Sequence, residues 1–175
     1  YRIPVFAAYS LAKEEEEVGK RFLYEMLENE DTWVAFNAAK KLALLKDRKG
    51  IDCIKQMLQY GGWKEKISAL ESLIALGEKD DLVPSLYRPS EVPGQAIRLE
   101  IARLLDAFYP ENTAQLLEEA FSSQEEEICI RVIEIIGETR RADLLYLAEN
   151  VIKKGPEYLR ATLIKTIEKM NTINL

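Results

Sequence analysis

Apolar positions recur along this chain in six windows of one form: Ile3 to Leu11, Val34 to Leu42, Glu65 to Leu73, Ile97 to Leu105, Ile128 to Ile136 and Leu159 to Ile167. Their last residues, Leu11, Leu42, Leu73, Leu105, Ile136 and Ile167, stand 31, 31, 32, 31 and 31 residues apart. A period that regular predicts one supersecondary unit stacked repeatedly, each copy touching its neighbours. Within the second copy, Val34, Ala38, Leu42 and Leu45 advance by steps of four, four and three, which marks one face of a helix.

Each period splits into two helical segments. In the second copy, Asp31 or Thr32 is suited to cap a helix over 33–45, because a short polar side chain satisfies the free N–H groups there. The turn 46–50 stops it, and Gly50 suits a left-handed conformation. A shorter helix follows over 51–60, with Ile51, Ile54, Met57 and Leu58 apolar, and Gly61 and Gly62 end it. The same reading places longer helices at about 3–13, 33–45, 64–76, 95–108, 126–138 and 157–170. Shorter partners fall at about 16–28, 51–60, 81–87, 111–122 and 142–154. No window alternates apolar and polar residues between turn signals, so no strand is expected.

The pattern departs from itself in two places. The short helix at 81–87 contains Pro84, and 88–94 holds two prolines and a glycine, which predicts an extended loop where the stack bends or a loop projects. The first copy lacks a shorter helix before its longer one, and the chain begins at Tyr1, not Met. Both features lead us to expect a piece of a longer protein, with repeat-like sequence upstream.

The longer-helix window reads apolar, basic, two variable, two small, two variable, Leu and then often Gly. It stands as Ile97-Arg98 with Ile101-Ala102 and Leu105, and as Leu159-Arg160 with Leu163-Ile164 and Ile167. The small pair is clearest as Ala7-Ala8 and Ala38-Ala39, and Gly77 and Gly137 take the final position. This pattern resembles the short HEAT-like repeat, of the type also found in phycobilisome-lyase-like proteins. The resemblance covers nearly the whole chain. It implies an all-α fold, a right-handed α-solenoid of about six two-helix HEAT-like repeats forming a single domain over 1–175. Such families include protein-binding scaffolds, lyases acting on bilins and DNA glycosylases, so the fold alone leaves the function open.

In such a solenoid the longer helices line the concave side. Their central solvent-facing positions are Tyr9, Lys40, Glu71, Arg103, Glu134 and Lys165, and the last five alternate in sign. Neighbouring helices at this spacing let the long side chains pair as a ladder, each exposed pair contributing about 0–1 kcal/mol. The flanking positions are Trp33, Asn37 and Leu44, then Lys64, Ser68 and Ala75, then Ala96, Glu100 and Ala107, then Glu127, Arg131 and Glu138, then Tyr158, Thr162 and Lys169, which mix apolar, polar and both charge signs. Trp33, Tyr9 and Leu44 are the candidate anchors for a partner, with the charged ladder from Lys40 to Lys165 giving orientation.

Composition narrows the chemistry. The chain carries 47% apolar and 31% charged residues and a net charge of −6, which counts against nonspecific binding to nucleic acid or anionic membranes. The mixed stripe differs from the one-signed basic run, interleaved with aromatics, that tracks a phosphate backbone. No apolar run approaches the about 18 residues a membrane span needs. Histidine is absent, which removes the commonest neutral-pH acid–base group and metal ligand. Cys53 and Cys129 are expected to be two buried reduced thiols, without disulfide or metal. The acidic runs, the basic turn at Lys46, Arg48 and Lys49 and the pair Arg140-Arg141 read as solvated caps and turns.

No catalytic residues, cofactor or metal are expected. The function expected is a non-enzymatic scaffold, cytoplasmic in location, that binds a protein partner or another part of its parent chain through the concave helix face. The alternative is a lyase-like or small-ligand-binding module. A glycosylase-type activity is disfavoured, because the aromatic cluster lacks a catalytic acid and a basic field.

Overall fold

The computed structural model describes residues 2–78, 94–154 and 156–172. The described residues form α-helices joined by short turns, with no strand. The chain divides into two compact units, Tyr1–Tyr87 and Arg88–Leu175. The first holds α1 (Arg2–Glu14), α2 (Glu16–Leu27), α3 (Thr32–Leu44), a single 3-10 turn at Arg48–Gly50, α4 (Ile51–Tyr60) and α5 (Trp63–Leu76). The second holds α6 (Gln95–Leu105), α7 (Pro110–Phe121), α8 (Glu126–Thr139), a 3-10 turn at Ala142–Leu144, α9 (Leu145–Lys154) and α10 (Glu157–Thr172). The short helix expected at 81–87, and all but Gly94 of the loop expected after it, lie outside the described residues.

Inside the first unit α3 packs against both α1 and α5, while α2 lies on α1 and α3 and α4 lies on α3 and α5. Inside the second, α8 packs against α6 and α10, and α7 lies on α6 and α8. Within each unit, then, a longer helix touches the longer helix of the next period, and the shorter helices pack against them. Val5, Ala8, Leu23, Val34, Ala38 and Leu42 form one core of the first unit. Leu99, Leu117, Val132, Ile135, Ile136 and Leu144 form one of the second. Leu42 is fully buried, and burying a leucine side chain stabilises by about 1.5–3 kcal/mol.

Small residues set how closely these helices approach. Ala38 and Ala39 are fully buried. A Cβ added to Gly19 would lie 2.1 Å from the Ala12 backbone nitrogen, so α1 and α2 touch backbone to backbone. Gly50 serves the same purpose and not the turn role expected of it. Its φ is −92°, and a Cβ there would lie 2.7 Å from that of Ala39.

The left-handed residue after α3 is Lys46, at φ 58°. Gly77 and Arg140 stand at the equivalent places after α5 and α8, at φ 80° and 56°. In each case the amide one residue further on closes the turn. Asp47, Glu78 and Arg141 donate to the carbonyls of Leu42, Leu73 and Ile136 at 2.9, 3.0 and 3.0 Å. Those three acceptors are the last residues of three sequence windows, so the period appears again as a helix-ending motif. The longer helix after Gly94 departs from this and stops at Leu105, three residues earlier than expected. Tyr109 precedes Pro110, whose ring drives it out of the helical region (φ −136°), and Pro110 then opens α7 at a position where its missing N–H costs nothing.

Several of the turn residues expected to be solvated also make specific contacts. Arg141 donates to Asp106 at 2.6 Å and to the Pro110 carbonyl at 2.9 Å, tying the turn after α8 to the turn after α6. Arg48 pairs with Glu78, and the Lys49 ammonium sits 3.8 Å from the Tyr24 ring centroid. Tyr24 donates to Asp47 at 2.6 Å. That hydrogen bond, with burial and the carboxylate charge behind it, pushes the Tyr24 hydroxyl up to about 12. Among the described residues no helix is long and apolar enough to cross a membrane.

Candidate interaction surface

The α3 helix shows how the surface is built. The Asp31 carboxylate accepts from the Trp33 amide at 2.9 Å, which caps the helix and places the indole in its first turn. Val34, Ala35, Ala38, Ala39 and Leu42 face inward and are buried. The remaining stripe carries Trp33, Asn37, Lys40, Lys41 and Leu44. Trp33 is 40% exposed and Leu44 53%. The Asn37 amide donates to the Trp33 carbonyl at 2.7 Å, so it stays on the helix surface beside the indole.

On α1 the facing stripe carries Phe6 and Tyr9. Phe6 is 57% exposed. The Lys41 ammonium lies 4.4 Å from the Phe6 ring centroid and 4.8 Å from that of Tyr9, so one cation bridges two rings. Lys13 approaches the Tyr9 ring at 4.7 Å, and Lys40 approaches the Phe36 ring at 5.2 Å. Val5, Phe6, Trp33, Asn37 and Lys41 line a cavity of about 220 Å³ between the two helices. Burial, and the Lys41 charge beside it, push Lys40 below its ordinary value against the opposing fields of Glu71 and Glu65.

Tyr9, Trp33 and Lys40 therefore belong to one face of the first unit, with Leu44 one turn beyond Lys40 on the same exposed stripe. Glu71, exposed on α5, acts on Lys40 through its charge. Two residues of this face, Phe6 and Lys41, were absent from the expected set. The signal for Phe6 was present: it stands 31 residues before Asn37, so carrying the flanking row back one period reaches it. Lys41 follows Lys40 on the α3 surface and was hidden by assigning one central residue to each helix.

In the second unit the charged positions condense into a network. Arg103 donates to Glu100 through Nε at 3.0 Å and through Nη2 at 2.5 Å, and its Nε lies 3.8 Å from Glu138. Arg131 donates to Glu134 at 3.1 Å, to Glu138 at 2.9 Å and to Glu100 at 3.2 Å. The expected ladder thus runs through the flanking residues Glu100, Arg131 and Glu138 as much as through Arg103 and Glu134. Hydrogen bonding from Arg103 and then from Arg131 outweighs burial and holds the Glu100 carboxyl below its ordinary value. Lys165 on α10 is exposed. Cys129 is buried as expected, whereas Cys53 is half-buried and lines an open groove.

Neither the comparison with protein families nor the search of curated proteins returns a match to this chain.

Proposed function

We propose that this chain is a HEAT-like, right-handed α-solenoid of about six two-helix repeats. It acts as a non-enzymatic scaffold that binds a protein partner, or another part of its parent chain, through the face formed by the longer helices. The observation that carries the reading is the exposure of Phe6 and Trp33 on neighbouring longer helices, at 57% and 40%, around one small cavity. Aromatic anchors around a pocket with a polar surround are what protein interfaces concentrate their affinity in. In the second unit, the corresponding positions of the sequence period carry Arg131 and its carboxylates as a self-satisfied polar network. Replacing Phe6, Tyr9 and Trp33 with alanine in this chain tests the reading. Partner recovery is expected to fall while helix content stays unchanged, and full recovery would contradict it.

A small-ligand reading has one observation on its side. A groove of about 670 Å³ opens beside α2 and α4, lined by Leu27, Ala35, Cys53, Met57 and Tyr60 among others, within the size range of small-molecule sites. A thermal-shift screen against tetrapyrroles and nucleotides decides it. A ligand present at 100 times its Kd adds about 2.7 kcal/mol of stability.

A further inference from the structure

We infer that the Phe6–Trp33 face of the first unit takes an acidic peptide segment bearing one apolar side chain, the apolar group entering the cavity between α1 and α3 and the carboxylates meeting Lys13, Lys40 and Lys41. This rests on the interface reading above and adds the chemistry of the partner. Three independent features lead to it.

The first is charge. The protein as a whole carries −6, yet three lysines gather on this one face. Among the described residues none of the three has a carboxylate within ion-pairing distance. In the second unit, by contrast, Arg103, Arg131 and Arg141 are all paired. Charge on this face is therefore available to a partner, whereas that of Arg103, Arg131 and Arg141 is engaged in internal contacts.

The second is the way the ammonium groups are held. Lys41 rests between the Phe6 and Tyr9 rings, and Lys13 covers the Tyr9 ring. A ring face attracts a cation but accepts few of its hydrogen bonds. An ammonium so placed is oriented and still has N–H groups to donate to an incoming carboxylate, which makes a charge-assisted bond. Lys40, half-buried beside Lys41, gains in the same way, because a carboxylate relieves the repulsion between them.

The third is shape. The cavity has about 220 Å³ and walls formed by Val5, Phe6 and Trp33, with Asn37 and Lys41 at its polar side. That accommodates a single leucine or phenylalanine side chain and leaves a polar edge for the peptide backbone. A single-stranded nucleic acid fits the rings and lysines less well. Its row of stacked bases has no place in a cavity that takes one side chain.

The test uses the present chain and fluorescent synthetic peptides: Asp and Glu residues around one central Phe, the same peptide with Lys for every acid, the acidic peptide with Ser for Phe, and an oligothymidylate. The acidic Phe peptide is expected to bind and to alter Trp33 emission. Binding is expected to weaken about tenfold in Lys41→Glu or Lys13→Glu, and to weaken as salt rises above about 0.15 M. The Ser peptide is expected to bind more weakly than its Phe parent. Circular dichroism of each variant confirms that the helices are intact. No binding by the acidic Phe peptide, or binding that survives both lysine reversals, overturns the inference. So does tighter binding of the Lys peptide or the oligothymidylate. The interface reading is judged separately by partner recovery with Phe6, Tyr9 and Trp33 replaced. A face that captures its partner but ignores acidic peptides therefore rejects the chemistry and keeps the interface.

Discussion

Arg131 on α8 donates to Glu100 on α6 at 3.2 Å, across a separation of 31 residues. That is one period of the sequence. The bond joins neighbouring longer helices of the second unit through flanking positions, three residues before Arg103 and Glu134, where the alternating charges predicted the ladder. Its two side chains are only 32% and 29% exposed, and the other nitrogen of the guanidinium group reaches Glu134 and Glu138.

Removing this hub is expected to cost modest stability. For Arg131→Ala we expect a loss of about 1 kcal/mol, near the upper end for pairs that remain partly in water. The pH dependence has a definite sign. The Glu100 carboxyl lies below its ordinary value of 4.5 in the folded state, so its ionised form favours folding. Its contribution is complete above that value and is lost below it, as the pH falls through the lower folded-state value. Glu100→Gln is expected to flatten the acid limb of a melting-temperature profile taken between about pH 3 and pH 7. An unchanged limb would remove the network from the account.

Asp106 carries a larger penalty. Its side chain is 10% exposed and Arg141 approaches it at 2.6 Å. Asp106→Ala leaves a largely buried guanidinium short of one partner and is expected to cost about 3 kcal/mol in urea denaturation. Asp143→Ala removes a partner that is 61% exposed and is expected to cost less than about 1 kcal/mol.

The left-handed helix ends respond in opposite directions. Arg140 holds φ 56° with a side chain that disfavours it, so Arg140→Gly is expected to stabilise by about 0.5–1 kcal/mol. Gly77 holds φ 80° with open space around it. Gly77→Ala is therefore expected to destabilise through backbone strain alone, by about 1–2 kcal/mol. Thermal denaturation of the two variants measures both.

Close packing gives the sharpest stability test. A Cβ at Gly19 would overlap the Ala12 backbone at 2.1 Å, and no rotamer change relieves contact with a main chain. Gly19→Ala is expected to destabilise by at least about 2 kcal/mol, visible as a lower urea midpoint.

Helix placement was largely legible in the sequence, because an amphipathic period of 31 residues leaves few other solutions. The ends of α2, α3, α4, α5 and α8 fall within a residue or two of where apolar spacing and capping residues put them. What escaped depends on contacts between distant residues. Gly50 looked like a turn glycine, yet its purpose is the Ala39 contact, and Lys46 takes the strained angle. Arg141 looked like a solvated turn residue because its partner, Asp106, lies 35 residues away. Reading one central residue per helix singled out Tyr9, Lys40, Arg103 and Glu134 but left Arg131, which reaches three carboxylates, in a flanking position. Phe6 was recoverable from periodicity, whereas the stacking of Lys41 on two rings depends on side-chain directions that spacing does not specify.

The most direct measurement is partner capture by the chain with Phe6 and Trp33 both changed to alanine, followed alongside its helix content. Neither residue is fully buried, so the fold is expected to persist. Recovery of the partner is expected to drop by at least about tenfold, as loss of two central aromatic anchors implies. Undiminished recovery by a folded double variant would contradict the claim that this face is the interface.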